Sequence, residues 1–180
     1  MRDIIGKYLV NWRVKNVLPY LKGDLLDIGC GTNELVRRYG KGKGVDVYQW
    51  GDVNLVVEDT SNLPYEEKSF DTVTIIAALN YIPNREEVLK EANRLLRKDG
   101  IIVITMIPPT ISRVWHFLRK PWDADQKERG IARVEVFGFK QEEIRQLLKS
   151  AGFKVALEKS FMLRINKITL AKKEREIVRD

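Results

Sequence analysis

The 180-residue chain predicts an α/β fold, a mostly parallel sheet with helices on both faces. Three observations predict it. Strand-length apolar runs alternate with segments of helical period from residue 24 to 152. Two of those runs, "FDTVTIIAAL" and "GIIVITMI", are predominantly apolar rather than alternating, as central strands buried on both faces must be. The last two runs, "KVALEKSF" and "RINKITLAKK", follow one another with no helix between, so they predict an antiparallel closing pair.

Taken in order, residues 3 to 21 predict an amphipathic N-terminal helix that ends near Pro19, where the missing N–H and fixed φ stop a helix. "DLLDIG" predicts a buried strand and "NELVRRY" a short helix. "GKGVDV" predicts a second strand ending in Asp46, and "VNLVVED" a third ending in Asp59. Residues 47 to 54 are too few for a crossover helix between them. "FDTVTIIAAL" is the fourth strand. "NREEVLKEANRLLRK" places Val88, Ala92, Leu95 and Leu96 at helical spacing, with Gly100 as the stop. "GIIVITMI" is the fifth strand, and "KQEEIRQLLKSAGF" a further helix ended by Gly152. The whole reads as a Rossmann-like, doubly wound sheet of seven strands with an antiparallel closing strand.

The organisation is that of one domain over residues 1–180, with a cap helix at 1–22 and an inserted lid at 108–139. That insertion carries Pro108, Pro109 and Pro121 and predicts a helix over 111–119. It is long for a connection inside a compact domain, and such segments are commonly lids or binding elements. No repeat, low-complexity tract or Ser/Gly linker marks a second domain.

Composition excludes several classes. Hydrophobic residues are 44% and charged residues 32%, a globular mixture. The longest apolar runs, "IIAAL" and "IIVI", fall far short of the roughly 20 residues of a membrane span. The N-terminus mixes charges into its apolar positions, unlike a signal peptide. One cysteine, Cys30, forbids an internal disulfide or a multi-cysteine zinc site, and no metal site is expected. A cytoplasmic location is expected. The net charge of +7 permits an anionic partner such as RNA, but opposite-sign neighbours such as "KKEREIVRD" read as solvated helix faces.

The chemistry concentrates at "DLLDIGCGTNELVRRYG", residues 24 to 40. Gly29 and Gly31 permit close approach of backbone to a ligand. A dinucleotide fingerprint needs a third glycine where Glu34 stands, and a phosphate loop needs a Gly-Lys-Ser/Thr that is absent. Asp27 adds negative charge two residues before Gly29, which repels a pyrophosphate. A cationic ligand without phosphate suits the loop. S-adenosylmethionine offers an ammonium, a sulfonium, a ribose diol and an adenine amine. Asp27 stands where its amino-acid end would lie, Asp46 where a carboxylate takes the ribose diol, and Asp59 where one accepts from an exocyclic amine. Each has a plainer reading: Asp46 as a strand end, Asp59 as the opening of an Asx turn before Thr60.

"LLDIGCGTNEL" resembles the first motif of the class I S-adenosylmethionine-dependent methyltransferases, and "GVDVY" their second. "VVEDTSNLPYEEKSFDTVTIIAALNYIPN" resembles the third and fourth motifs of the small-molecule, type 11 subgroup. "EANRLLRKDGIIVITMI" is similar to the helix and strand that follow them. The resemblance runs from about residue 20 to 107. It implies S-adenosylmethionine as cofactor and methyl transfer to a small-molecule acceptor, with cofactor contacts at Asp27, Gly29, Gly31, Asp46, Asp59, Thr60, Ala78 and Leu79. Asn33 stands where the family usually has glycine, and asparagine tolerates left-handed backbone. Asn80, where the family often has histidine, Tyr81 and His116 are the acid–base candidates; Tyr81 also reads as a core aromatic and His116 as a helix-surface residue. Cys30 reads as a small filler. Two alternatives are methyl transfer to RNA or another macromolecule, and a non-catalytic scaffold of the same fold. NAD-dependent reduction is disfavoured by Glu34. The sequence names neither the acceptor nor the oligomeric state.

Overall fold

A computed structural model describes residues 4–109, 138–163 and 165–174. The expected helix over 111–119, His116 and most of the expected lid fall outside the described residues. The strands are β1 (Leu25–Ile28), β2 (Gly42–Asp46), β3 (Leu55–Val56), β4 (Phe70–Ile76), β5 (Leu96–Met106), β6 (Phe153–Phe161) and β7 (Asn166–Lys173). They form one seven-stranded sheet in the order β3-β2-β1-β4-β5-β7-β6. All neighbours from β3 to β5 are parallel, and β7 runs antiparallel to both β5 and β6. The doubly wound sheet with its antiparallel closing strand is the one the sequence predicts.

The helices are α1 (Ile4–Val17), α2 (Glu34–Tyr39), α3 (Arg85–Leu95) and α4 (Gln141–Ser150) among the described residues. They divide between the two faces. Val88, Leu89, Ala92 and Leu95 of α3, with Ile144 and Leu148 of α4, close over Leu26, Ile28, Val73, Ile75, Ile102 and Ile104. Val14 and Val17 of α1, with Leu35 and Val36 of α2, close over Leu25, Ile101 and Val103. Successive strand side chains point to opposite faces, so β1, β4 and β5 need apolar residues at nearly every position. Here the run-on hydrophobicity of these strands has its cause.

Element ends follow local chemistry. Helix α1 gives way to a 3-10 turn at Leu18–Tyr20 that contains Pro19, as expected. After α4, Gly152 takes φ +79 and its N–H reaches the Lys149 carbonyl, a left-handed helix end that glycine adopts at no steric cost. The expected absence of a helix between β2 and β3 is also found.

Two boundaries differ from expectation. Helix α3 stops at Leu95, and Leu96 already pairs with Phe70, so Gly100 lies inside β5 rather than ending the helix. The N–H groups of Lys68 and Ser69 take the carbonyls of Arg94 and Leu95, and the Lys173 ammonium takes those of Asn93 and Leu96. Tertiary donors thus end the helix before its own sequence would. The third strand shrinks to Leu55–Val56, and Asp59 lies beyond it. Asn54 Oδ1 accepts from the Gly44 N–H at its start, and Asp59 turns the chain at its end.

The long 108–139 connection leaves and returns at one place. Gly138 (φ +77) lies so close to the end of β5 that a Cβ on it would sit 2.3 Å from the Ile107 carbonyl oxygen. Both ends of the connection therefore meet at the carboxyl edge of the sheet. No helix among the described residues is long and apolar enough to cross a membrane.

Candidate functional site

Ligands of open α/β sheets bind beyond the carboxyl ends of the strands, where the strand order reverses. In this sheet that point lies between β1 and β4. The loop leaving β1 is pinned there by backbone. The N–H groups of Gly29 and Cys30 both donate to the Val45 carbonyl, at 2.8 and 3.1 Å. Gly29 (φ +71) backs onto the loop after β4: a Cβ on it would lie 2.5 Å from the Ala78 methyl. Gly31 (φ +55) has the opposite surroundings. A Cβ on it would meet nothing within 4 Å, so its Cα face is open. The two glycines serve different needs, close approach at the first and an uncovered backbone at the second.

Two carboxylates flank this loop. Asp46, buried at the end of β2, accepts the Gly31 N–H on Oδ2 at 2.8 Å and the Tyr48 N–H on Oδ1 at 3.2 Å. Asp27, buried within β1, accepts the Thr74 hydroxyl at 2.6 Å. Burial pushes the Asp27 carboxyl up to about 7; the Thr74 hydrogen bond opposes this, and the negative charge of Asp46 adds to it. Burial, Asp27 and Asp46 together push the Cys30 thiol well above its ordinary value. A thiol held protonated is no nucleophile, consistent with a filler between the glycines.

Asn33 opens α2 in left-handed backbone, φ 59 and ψ 24, a conformation its short polar side chain tolerates. Its Nδ2 donates to the Asp52 carbonyl at 2.6 Å and to Asn54 Oδ1 at 3.0 Å. Its Oδ1 is buried against Gly44, without a hydrogen-bond partner among the described residues. Asn33 thereby ties the glycine loop to the 47–54 segment that stands in place of a crossover helix. Asn33→Ala is expected to cost about 2 kcal/mol, the worth of two net hydrogen bonds, and to speed amide exchange at 47–54. Unchanged exchange there would remove this tethering role.

The remaining expected contacts scatter. Asp59 is exposed and opens an Asx turn: Oδ1 accepts the Ser61 N–H at 2.8 Å, and both oxygens take Asn84 Nδ2 at 3.0 Å. Asn84 and Ser61 hold its carboxyl below the usual range. Thr60 is buried beside it. Ala78 touches the glycine loop, whereas Leu79 is fully buried in the core. Asn80 and Tyr81 lie in the 3-10 turn Leu79–Tyr81 after β4. That turn is braced by Arg85, whose guanidinium donates to the carbonyls of Leu79 at 3.1 Å and Asn80 at 3.3 Å and lies over the Phe139 ring. Just before it, Ala77 holds φ +52 and gives its N–H to Thr105, a strained junction of the kind that gathers at ligand sites.

Thr74 is a site residue that the sequence pattern conceals. It lies inside an apolar run, but the β1–β4 register sets it directly beside Asp27. Arg85 is concealed in the same way, inside a helical pattern of alternating charge.

The methyltransferase-domain family model matches residues 26–104. The demethylmenaquinone methyltransferase of Staphylococcus saprophyticus is 31% identical over 147 residues, 74% of this chain and 62% of that protein. Its counterpart in Staphylococcus haemolyticus is 28% identical, covering 83% of this chain and 77% of the relative. That of Thermotoga maritima is 27% identical over 61% of this chain. The chain spans about half the length of the Thermotoga relative, 54%. Among solved structures, the PH0226 protein of Pyrococcus horikoshii superposes with a TM-score of 0.72 at 17% identity, over 96% of this chain and 93% of that one. A SAM-dependent methyltransferase of Archaeoglobus fulgidus gives 0.69 at 21% identity, over 92% and 94%.

Proposed function

We propose that the chain is a class I S-adenosylmethionine-dependent methyltransferase, a reading supported by the methyltransferase-domain match over residues 26–104 and by the methyltransferase relatives, and that it transfers a methyl group from this cofactor to a small-molecule acceptor. The observation that carries the reading is the pairing of an open glycine backbone at Gly31 with the buried carboxylates Asp27 and Asp46. That acceptor set fits a cation bearing hydroxyls and repels a pyrophosphate. The relatives named for demethylmenaquinone support a small, ring-bearing acceptor over a macromolecule.

When bound, S-adenosylmethionine supplies a methyl group activated by its sulfonium. The protein's part is binding, orientation and exclusion of water. In this reading Asp27 takes the ammonium, Gly29 and Gly31 admit the ligand to the backbone, and Asp46 takes the ribose hydroxyls. Asp59, Thr60, Ala78 and Leu79 border the adenine, with Leu79 acting from the core beneath. Asn80 and Tyr81 stand nearest the acceptor side. Alignment of two bound reactants contributes about 7–11 kcal/mol, so the reaction demands no base of its own.

Calorimetry with S-adenosylmethionine, S-adenosylhomocysteine and NAD tests the assignment. Binding of the first two and not the third is expected. NAD binding tighter than S-adenosylhomocysteine would overturn it. Incubation of labelled cofactor with metabolite and RNA pools then separates the acceptor classes, label in small molecules being the expected outcome.

A further inference from the structure

Helix α1 lays Val14 and Val17 on the sheet, and its C-terminal end feeds β1 from the amino edge. One residue before Val14, Arg13 is half-buried. Its Nε donates to Asn166 Oδ1 at 3.2 Å. Asn166 is fully buried, opens β7, and stands one step beyond Lys167, which pairs with Met106 at the carboxyl end of β5. Arg13 thus lies where β5 ends. Tyr81, in the turn after β4, is the titratable group that acts on it; burial lowers the guanidinium pKa and Tyr81 opposes this. These residues come from separate elements and converge over the carboxyl ends of β4 and β5, next to the β1–β4 cleft.

Four other arginines among the described residues have acceptors. Arg94 pairs with Glu91, Arg97 with Asp71 and Asp24, and Arg145 with Glu158, while Arg85 takes backbone carbonyls. For the two Nη groups of Arg13 there is no acceptor among the described residues, and no Asp or Glu among them pairs with it. A partly desolvated cation without a counter-ion is costly. The planar guanidinium fork suits an oxyanion better than any neutral group, meeting a carboxylate through two oxygens and an aryloxide through one. Asn166 takes the Nε and thereby fixes the plane of that fork. Its own Nδ2 is satisfied by Met162 Sδ at 3.3 Å, so the orientation of the amide is set.

We propose that Arg13, oriented by Asn166, binds an oxyanion of the methyl acceptor, a carboxylate or an aryloxide. The inference rests on the methyltransferase reading and adds the acceptor's charge to it. An acceptor held this way presents its reacting atom beside the cofactor cleft, with its anion toward α1.

The test titrates the full chain, with and without S-adenosylhomocysteine, against benzoate and 4-nitrophenolate and against their neutral counterparts benzamide and 4-nitroanisole. Wild type is compared with Arg13→Gln, which keeps a donor for Asn166 but no charge, and with Arg13→Lys, which keeps the charge but not the fork. Wild type is expected to bind at least one anion about tenfold or more tighter than its neutral partner. Arg13→Gln should lose tenfold to a hundredfold of that affinity, the range for a hydrogen bond to a charged group, and leave the neutral ligands unchanged. Arg13→Lys should fall between the two. Preference for benzoate assigns a carboxylate acceptor, and preference for 4-nitrophenolate an aryloxide. Thermal melts confirm that each variant folds; if Arg13→Gln does not, the anion preference of wild type and its reduction in Arg13→Lys decide. Equal binding of anions and neutral ligands by wild type, or anion binding untouched by both substitutions, overturns the inference. A wild type that ignores S-adenosylhomocysteine overturns the methyltransferase reading instead, so the two failures are distinct.

Discussion

Asp46→Ala is expected to lower the affinity for S-adenosylhomocysteine tenfold to a hundredfold. The carboxylate stands at the end of β2, one oxygen on the Gly31 N–H of the glycine loop and the other on the Tyr48 N–H of its own following turn. Each carboxylate oxygen has a second lone pair, so a ribose diol can add to these bonds without breaking them. A hydrogen bond to a charged group is worth roughly 1.5–3 kcal/mol, which gives the stated range. Truncation also strips acceptors from two backbone donors, one of them on the open loop residue, and should reduce stability by about 1–3 kcal/mol. Asp46→Asn separates these effects. Its amide oxygen still accepts from one backbone N–H, so the loss of stability should be smaller, while cofactor affinity stays low because the charge is gone. Calorimetry on both variants, with thermal melts alongside, is the measurement. Wild-type affinity in Asp46→Ala would show that Asp46 organises the loop and touches no ligand.

What is readable in the sequence is local. The β1 loop, its glycines and Asp27 fall within eight residues, and the strand tips that carry Asp46 and the Ala78 turn follow from alternating apolar runs. Sequence and structure part where distant segments supply the deciding groups. The helical spacing of α3 continues past Leu95, but the donors that end it come from Lys68, Ser69 and Lys173. "VNLVVED" is apolar enough for a strand reaching Asp59, yet the side chains of Asn54 and Asp59 bend the chain on both sides of two paired residues. The meaning of Thr74 depends on register with β1, which its own segment does not encode. Arg13 is hidden more deeply, since its partner Asn166 is 153 residues away. Periodicity reports which face a residue takes; it does not report which residue it meets there.

Cofactor affinity is expected to rise with pH, about tenfold per pH unit below 7, and to level off above it. The cause is Asp27. Its folded carboxyl is held at about 7 by burial, with Asp46 adding to it, whereas a carboxyl in the unfolded chain titrates near 3.9, about the value of a free aspartate. Below 7 the folded protein therefore carries a neutral acid where the ligand's ammonium needs an anion. Binding must expel that proton, and one proton expelled gives the limiting tenfold slope. The ligand's α-amino group stays charged across the window, since such groups titrate near 8. Calorimetry at pH 6 in two buffers of different ionisation enthalpy should register the release of close to one proton. The same carboxyl sets a stability trend. From about pH 4 to 7 the unfolded chain releases the proton that the folded chain keeps, so the folded state binds more protons and stability falls as pH rises. Below pH 4 both forms are protonated and the cost vanishes; above 7 both are ionised and the cost is constant. The displacement of this one carboxyl corresponds to about 4 kcal/mol at most. Asp27→Asn keeps an acceptor for the Thr74 hydroxyl and removes the charge. It should be more stable than wild type at pH 8, bind cofactor weakly, and show a flat pH profile between 5 and 7. A wild-type affinity that is already flat over that range would mean that Asp27 does not face the ligand's cation, and that the acidic side of the loop serves the fold alone.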